Sequence, residues 1–267
     1  MNNIVLPMKV HAVKLEYRRI KLKEMIQGHF KTVNNRKIVV ITREPGRPQV
    51  SSRHPRRLNA DSAIGKTYAE EVSKYLLVKS EYDSLLFSWN SRYNIAPPKV
   101  RFPIRQFVDP HLMNNEYFAK QAGHCGKYQP DNPTDSDHGD LKSKNELIGA
   151  DLLKYLGIPF KYETEIYLKE IDETINPDYL VDFYEIDRCS YLEILGMNDK
   201  SNYSVTTATK INGFSRDKYR PGREVIYIVL YDKQNFDRDY FVSQVLSAFN
   251  DMIPDEALIW KTESVAV

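Results

Sequence analysis

Four side chains in the second half of the sequence have the types and spacing for chemistry: Glu146, Asp178, Glu193 and Lys210. Asp178 opens the run DYLVDFYEI and Glu193 lies inside SYLEILGM, both of which read as half-buried or buried strands. A carboxylate in such surroundings is costly without a partner. Side chains alternate along a strand, so Asp178, Leu180 and Asp182 share one face of the first run. Tyr191, Glu193 and Leu195 share one face of the second, and paired strands bring Asp178 and Glu193 together near the sheet's edge. Glu146 is in line with Ala150 and Leu153 on the inward stripe of a predicted helix. Three inward acids without a matching base suit a hard cation. Mg²⁺, or Mn²⁺ in its place, takes one or two carboxylates, waters and the phosphate oxygens of a substrate. Lys210 is seven residues after Tyr203 and four before Phe214, so it shares their helical face and can project its ammonium into a site. The competing structural reading has Asp178 satisfying turn amides, Glu193 pairing with an arginine such as Arg188, and Lys210 covering apolar surface with its stem.

The elements that must position these groups follow from pattern. LKSKNELIGADLLKYLGI predicts a helix, with apolar residues at 147, 150 and 153 and at 148, 152 and 156, stopped by Gly157 and Pro159. PFKYETEIYL predicts a strand and EIDETINP a turn; DYLVDFYEI and SYLEILGM are the next two strands. DKSNYSVTTATKINGFSRD predicts a helix capped by Asp199, REVIYIVLYD a strand, and RDYFVSQVLSAFNDMI a closing helix. Upstream, residues 10–33 read as a basic helix or a strand–helix mix, and RKIVVIT as a strand. The stretch 43–61, with three prolines and five arginines, reads as a loop. Residues 62–90 read as a long helix capped by Asp61, with Tyr68, Tyr75, Tyr82 and Trp89 seven apart as its core stripe.

An upstream Glu on a helix, a Pro-Asp entering a strand, and a following hydrophobic strand carrying Glu resemble the PD-(D/E)XK nuclease superfamily. The matching residues are Glu146 in SKNELIGADLL, Pro177 and Asp178 in NPDYLVDF, and Glu193 in YLEILGMND, covering roughly residues 141–250. Leu195 stands where that pattern has its lysine. In some branches of the superfamily the lysine has moved to a neighbouring element, and EILGMNDKSNYSVTTATK is similar to such a branch, which again nominates Lys210. The resemblance implies an α/β fold with a restriction-endonuclease-like αβββαβ core around a central mixed sheet. It also implies Mg²⁺-dependent hydrolysis of phosphodiester bonds, with DNA as the preferred substrate. Asp178, Glu193, the Ile194 carbonyl and Glu146 would serve the metal, and Lys210 the attacking water or the developing charge. The alternative it leaves is a catalytically inactive nucleic-acid-binding protein that keeps the fold. A non-enzymatic interaction protein with an acidic cation pocket is the third reading.

Charge divides the chain. Residues 1–107 hold 21 Lys/Arg against 8 Asp/Glu, and residues 108–267 hold 17 against 28, which the overall net charge of +2 conceals. The basic half suits a polyanion, gripped by Arg53, Arg56 and Arg57 of the Arg-rich loop. The expected organisation is a basic, mainly helical region over 1–122, a linker over 123–140 rich in Gly, Asp and Pro, and the nuclease-like core over 141–267. Partners expected are a nucleic acid and either a second copy or another protein, with no membrane, because no segment approaches the ~18 apolar residues of a span. Two cysteines and six scattered histidines give no metal spacing and fit reduced thiols in the cytoplasm.

Overall fold

The computed structural model describes residues 5–104, 110–124, 141–196, 201–230 and 236–260, with backbone alone for 201–206. Contacts divide the chain into two compact units. One comprises Met1–Val10 and Arg101–Ala257, the other His11–Val100 and Leu258–Val267. Most of the 123–140 stretch expected as a linker lies outside the described residues.

Helix α1 (Met8–Glu24) leads into the second unit. Strands β1 (Gln27–Val33) and β2 (Arg36–Arg43) form an antiparallel hairpin. Its two loop residues, Asn34 and Asn35, have φ of 47° and 60°. Asparagine tolerates that left-handed backbone, and such two-residue turns match the twist of the flanking strands. Strand β3 (Arg56–Asn59) adds to β2 antiparallel. The expected loop over 43–61 therefore contains a strand, and the unit a three-stranded sheet. A four-residue strand with two arginines is too short and too polar for alternation to reveal it. Helix α2 (Ala63–Arg92) packs on this sheet through Val72, against Val39, Ile41, Phe30 and Leu58. Its cap is Ser62, which accepts the Gly65 amide at 3.1 Å, and not the preceding Asp61. Of the four aromatics at sevens, Trp89 is fully buried and donates its indole N–H to the Ile95 carbonyl at 2.8 Å. Strand β4 (Lys99–Val100) ends this stretch.

The first unit holds α3 (Asn115–Lys120), α4 (Lys144–Tyr155), β5 (Phe160–Tyr162), β6 (Ile166–Leu168), β7 (Glu173–Ile175) and β8 (Tyr179–Phe183). After a short 3₁₀ turn come β9 (Arg188–Gly196), α5 (Ser201–Arg216), β10 (Val225–Leu230) and α6 (Arg238–Asp251). A last strand, β11 (Leu258–Ile259), belongs to the second unit, where it pairs with β4. The main sheet has the order β10-β9-β8-β5. It is mixed: β5–β8 and β8–β9 are antiparallel, and β9–β10 are parallel. The strand expected over 159–168 is two strands, broken where Glu163 takes φ of 45°, and the expected turn after it contains β7, which pairs with β6. The predicted Asp199 cap lies outside the described residues.

Each sheet face has its own cover. Leu180, Tyr191 and Val225 share one face and pack with Phe214 of α5. Full burial of such a side chain contributes about 1.5–3 kcal/mol. The other face, with Tyr179 and Ile194, lies under α4. A methyl at Gly149 would stand only 3.2 Å from Ile194 Cδ1, 3.3 Å from the Tyr179 hydroxyl and 3.4 Å from Phe241 of α6. Glycine is what lets the helix come this close. Gly157 then ends α4 in the left-handed conformation, with φ of 63°, and the Ile158 amide closes the turn on the Leu153 carbonyl at 3.0 Å. Among the described residues no helix is long and apolar enough to cross a membrane. Cys189 is buried and in no disulfide among the described residues, and Cys125 lies outside them.

Candidate active site

The site forms at one end of the mixed sheet, where elements from both faces arrive. Tyr179 pairs with Leu192 across β8 and β9, so one further step of the register sets Asp178 opposite Glu193. The Ile194 amide donates to Asp178 Oδ2 at 2.6 Å, and the Asp178 carbonyl accepts the Glu163 amide at 3.0 Å. In an antiparallel pair the N–H and C=O of one residue point to the same neighbour. The Ile194 carbonyl therefore faces the Asp178 side as its amide does.

Lys210 reaches this point from α5. Its ammonium donates to both oxygens of Glu193, each at 2.9 Å, and to the Asn176 carbonyl at 3.2 Å. Glu193 is 2% exposed, so the pair is formed almost out of water, while Lys210 is half-buried. The partner of Glu193 is thus Lys210 and not Arg188. Tyr203, whose face the sequence assigned to Lys210, has no described side chain, but Phe214 on the same face is fully buried.

One ammonium does not balance the acids. Burial first, and then the charge of Asp178, push Glu193 up to about 8 against the pull of Lys210. Burial raises Asp178 to about 6, opposed by Lys210 and the Ile194 amide and reinforced by Glu146 and Glu163. The two acids titrate as a coupled pair that is one positive charge short of full ionisation.

Glu146 is felt by both acids through its charge, and its own contacts are architectural. Ser143 caps α4 by accepting the Glu146 amide at 3.2 Å. Glu146 Oε2 accepts in return from the amides of Ser143, at 3.2 Å, and Lys142, at 2.9 Å: a capping box. The Tyr162 hydroxyl donates to the same oxygen at 2.5 Å. Burial and that carboxylate raise Tyr162 far enough to keep it protonated. SKNE is the capping-box signature, and it was legible in the sequence only as an inward acid.

Two residues at the site were not anticipated. Glu163 is buried, forms an ion pair with Lys142, and raises the pKa of Asp178. Nothing in the pattern of KYETEI announces this, because the residue acts through the strand break it occupies. Lys142 ties Glu163 to the start of α4, beside Glu146.

The donor chemistry fits a hard divalent cation at Asp178 and Glu193: two carboxylates face each other, and their shared charge is under-neutralised. Among the described residues nothing hydrogen-bonds Asp178 Oδ1. Among the described residues no three His, Cys, Asp or Glu side chains are grouped to hold a metal ion.

The arginines nominated for nucleic acid lie in the other unit. Arg53 and Arg57 are exposed. Arg56 is half-buried, donates to the Tyr68 hydroxyl at 2.8 Å, stands over that ring, and is 3.6 Å from Glu44. Its charge is partly spent within the fold. No protein-family model, curated protein or solved structure matches the chain.

Proposed function

We propose that the protein is a metal-dependent nuclease of restriction-endonuclease-like architecture that hydrolyses phosphodiester bonds, with DNA as substrate. The observation that carries this reading is the bidentate contact of Lys210 with Glu193, one register step from Asp178. It supplies the acid–acid–lysine set from three elements although Leu195 stands where the strand motif has lysine.

Asp178, Glu193 and the Ile194 carbonyl would hold Mg²⁺. When bound, the ion would supply Lewis-acid polarisation of the phosphate and a more acidic water. The chain's own groups do the rest. Asp178 and Glu193 would be ionised as donors, Glu193 releasing the proton that burial makes it keep. Lys210, relieved of Glu193, turns its ammonium toward the attacking water or the non-bridging oxygens, where charge grows in the transition state. Glu146, fixed by its cap and Tyr162, orients water at the edge of the site.

The second reading, a nucleic-acid-binding protein without activity, is favoured by Leu195, which is buried on β9. Incubating plasmid and oligonucleotide DNA with Mg²⁺ or Mn²⁺, with EDTA and Lys210→Met as controls, separates the two. Cleavage that needs both the metal and Lys210 supports the nuclease. Binding without cleavage under every metal supports the second reading.

A further inference from the structure

We infer that the projecting end of the β1–β2 hairpin, Lys31 to Lys37, is a contact surface for duplex DNA, entering the major groove as a two-stranded ribbon. All seven residues of KTVNNRK are exposed, on both faces of the ribbon, whereas Val39, Val40 and Ile41 on the same hairpin are buried. The tip thus extends past the part of the sheet that α2 covers. A two-stranded ribbon is one of the two elements that B-DNA's major groove admits.

Charge selects the occupant. Between Gln27 and Asn59 there are eight Lys/Arg and a single acid, Glu44. That acid is buried and already paired with Arg47, at 3.3 Å, with Arg56, at 3.6 Å, and with the Tyr68 hydroxyl, at 2.7 Å. Nothing in this sheet neutralises the tip. Among the described residues Lys31 and Arg36 have no ion-pair partner, and Lys37 rests its ammonium 4.3 Å over the Phe30 ring. Arg57 continues the track. It pairs with Val40, and so shares the sheet face of Lys31, Ile38 and Arg36. Cations flanking an Asn-Asn tip match a groove in which phosphates line both walls and amide groups meet base edges.

This contact rests on the nuclease reading only for what the bound duplex is for, so it is measured in EDTA, where cleavage plays no part. The variant Lys31→Gln, Arg36→Gln, Lys37→Gln removes charge and leaves the backbone pairing intact. Fluorescence anisotropy with two unrelated DNA duplexes across a salt series should show roughly tenfold or greater weakening at low salt. The log–log salt slope should flatten by about two to three units, since each lost phosphate contact removes about 0.9. A duplex RNA of equal length should bind the wild type more weakly, because its major groove is too narrow for the ribbon. Wild-type affinity and slope in the variant, or equal binding of the RNA duplex, would overturn the inference. Should the variant fail to fold, acylation of Lys31 and Lys37 in the wild type decides it: DNA must protect both amines, and unprotected amines refute the contact. Cleavage with an unaffected hairpin variant would leave the nuclease standing alone, and DNA binding lost with the hairpin but no cleavage would leave the contact standing alone.

Discussion

Glu193 offers the sharpest test of the site's electrostatics. Burial and Asp178 raise it from an ordinary value of 4.5 to about 8. Between those values the folded protein holds a proton that the unfolded chain has released, so stability falls as pH rises and the loss is complete only above the folded value. Over pH 6 to 8 the folded acid goes from protonated to half-ionised, which at 1.36 kcal/mol per unit amounts to about 2 kcal/mol. Glu193→Gln mimics the protonated acid. It should match the wild type near pH 4, exceed it by about 2 kcal/mol at pH 6 and by about 4 kcal/mol at pH 8. Urea melts of both proteins in EDTA at pH 4, 6 and 8 give the comparison. Adding Mg²⁺ should raise the wild-type midpoint more at pH 8 than at pH 6, because the ligands must be ionised, and should leave the variant nearly unmoved. Parallel pH slopes for the two proteins would refute the assignment of this titration to Glu193.

Asp178→Ala should abolish cleavage while melting at or above the wild-type temperature, since removing one of two repelling acids relieves the metal-free state; gel assays paired with thermal melts check it. Lys210→Met should lower the cleavage rate by about 10²-fold or more, as expected for a group that stabilises transition-state charge, measured in single-turnover reactions. Tyr162→Phe removes a hydrogen bond to the Glu146 carboxylate and should cost about 1.5 kcal/mol in urea. Asp182 is buried, its Oδ1 has no hydrogen-bond partner among the described residues, and burial followed by the charges of Glu185 and Asp187 raises it to about 7. Between about pH 4 and 7 the folded acid keeps a proton that the unfolded chain releases, so stability falls across that window, and Asp182→Asn should gain nothing near pH 3 and about 4 kcal/mol at pH 8.

The core elements that were legible in the sequence are those with long periodic runs: α4, β8, β9, β10 and α6 all lie where apolar spacing predicts them. The parts that were not legible depend on local chemistry that periodicity does not carry. β3 is two arginines, a leucine and an asparagine, and becomes a strand because β2 offers an edge to pair with. The break at Glu163 requires a backbone conformation that the apolar run does not encode. At the site, strand alternation was enough to set Asp178 against Glu193, and helical phase enough to aim Lys210. The cap role of Glu146 is carried by the SKNE pattern and not by its phase, because inward phase looks the same for an acid that binds a ligand and for one that closes a helix end. Arg56 looks like surface charge in the sequence because its partner, Glu44, is twelve residues away, just past the end of β2.

Lys210 and Phe214 are four residues apart on α5, where one side chain is fully buried and the other bonds Glu193. A single helical turn therefore both anchors and delivers, and the position of the ammonium is inherited from Phe214 rather than from the strand that bears its acid. The two intervals along the chain differ in tolerance. An insertion between Lys210 and Phe214 turns the lysine through about 100° per added residue and takes it out of reach. Lengthening the stretch between Glu193 and the start of α5 leaves the anchored turn where it is. The distance in sequence from acid to lysine is thus free to drift, while the four-residue step behind the lysine is the one that length variation cannot touch.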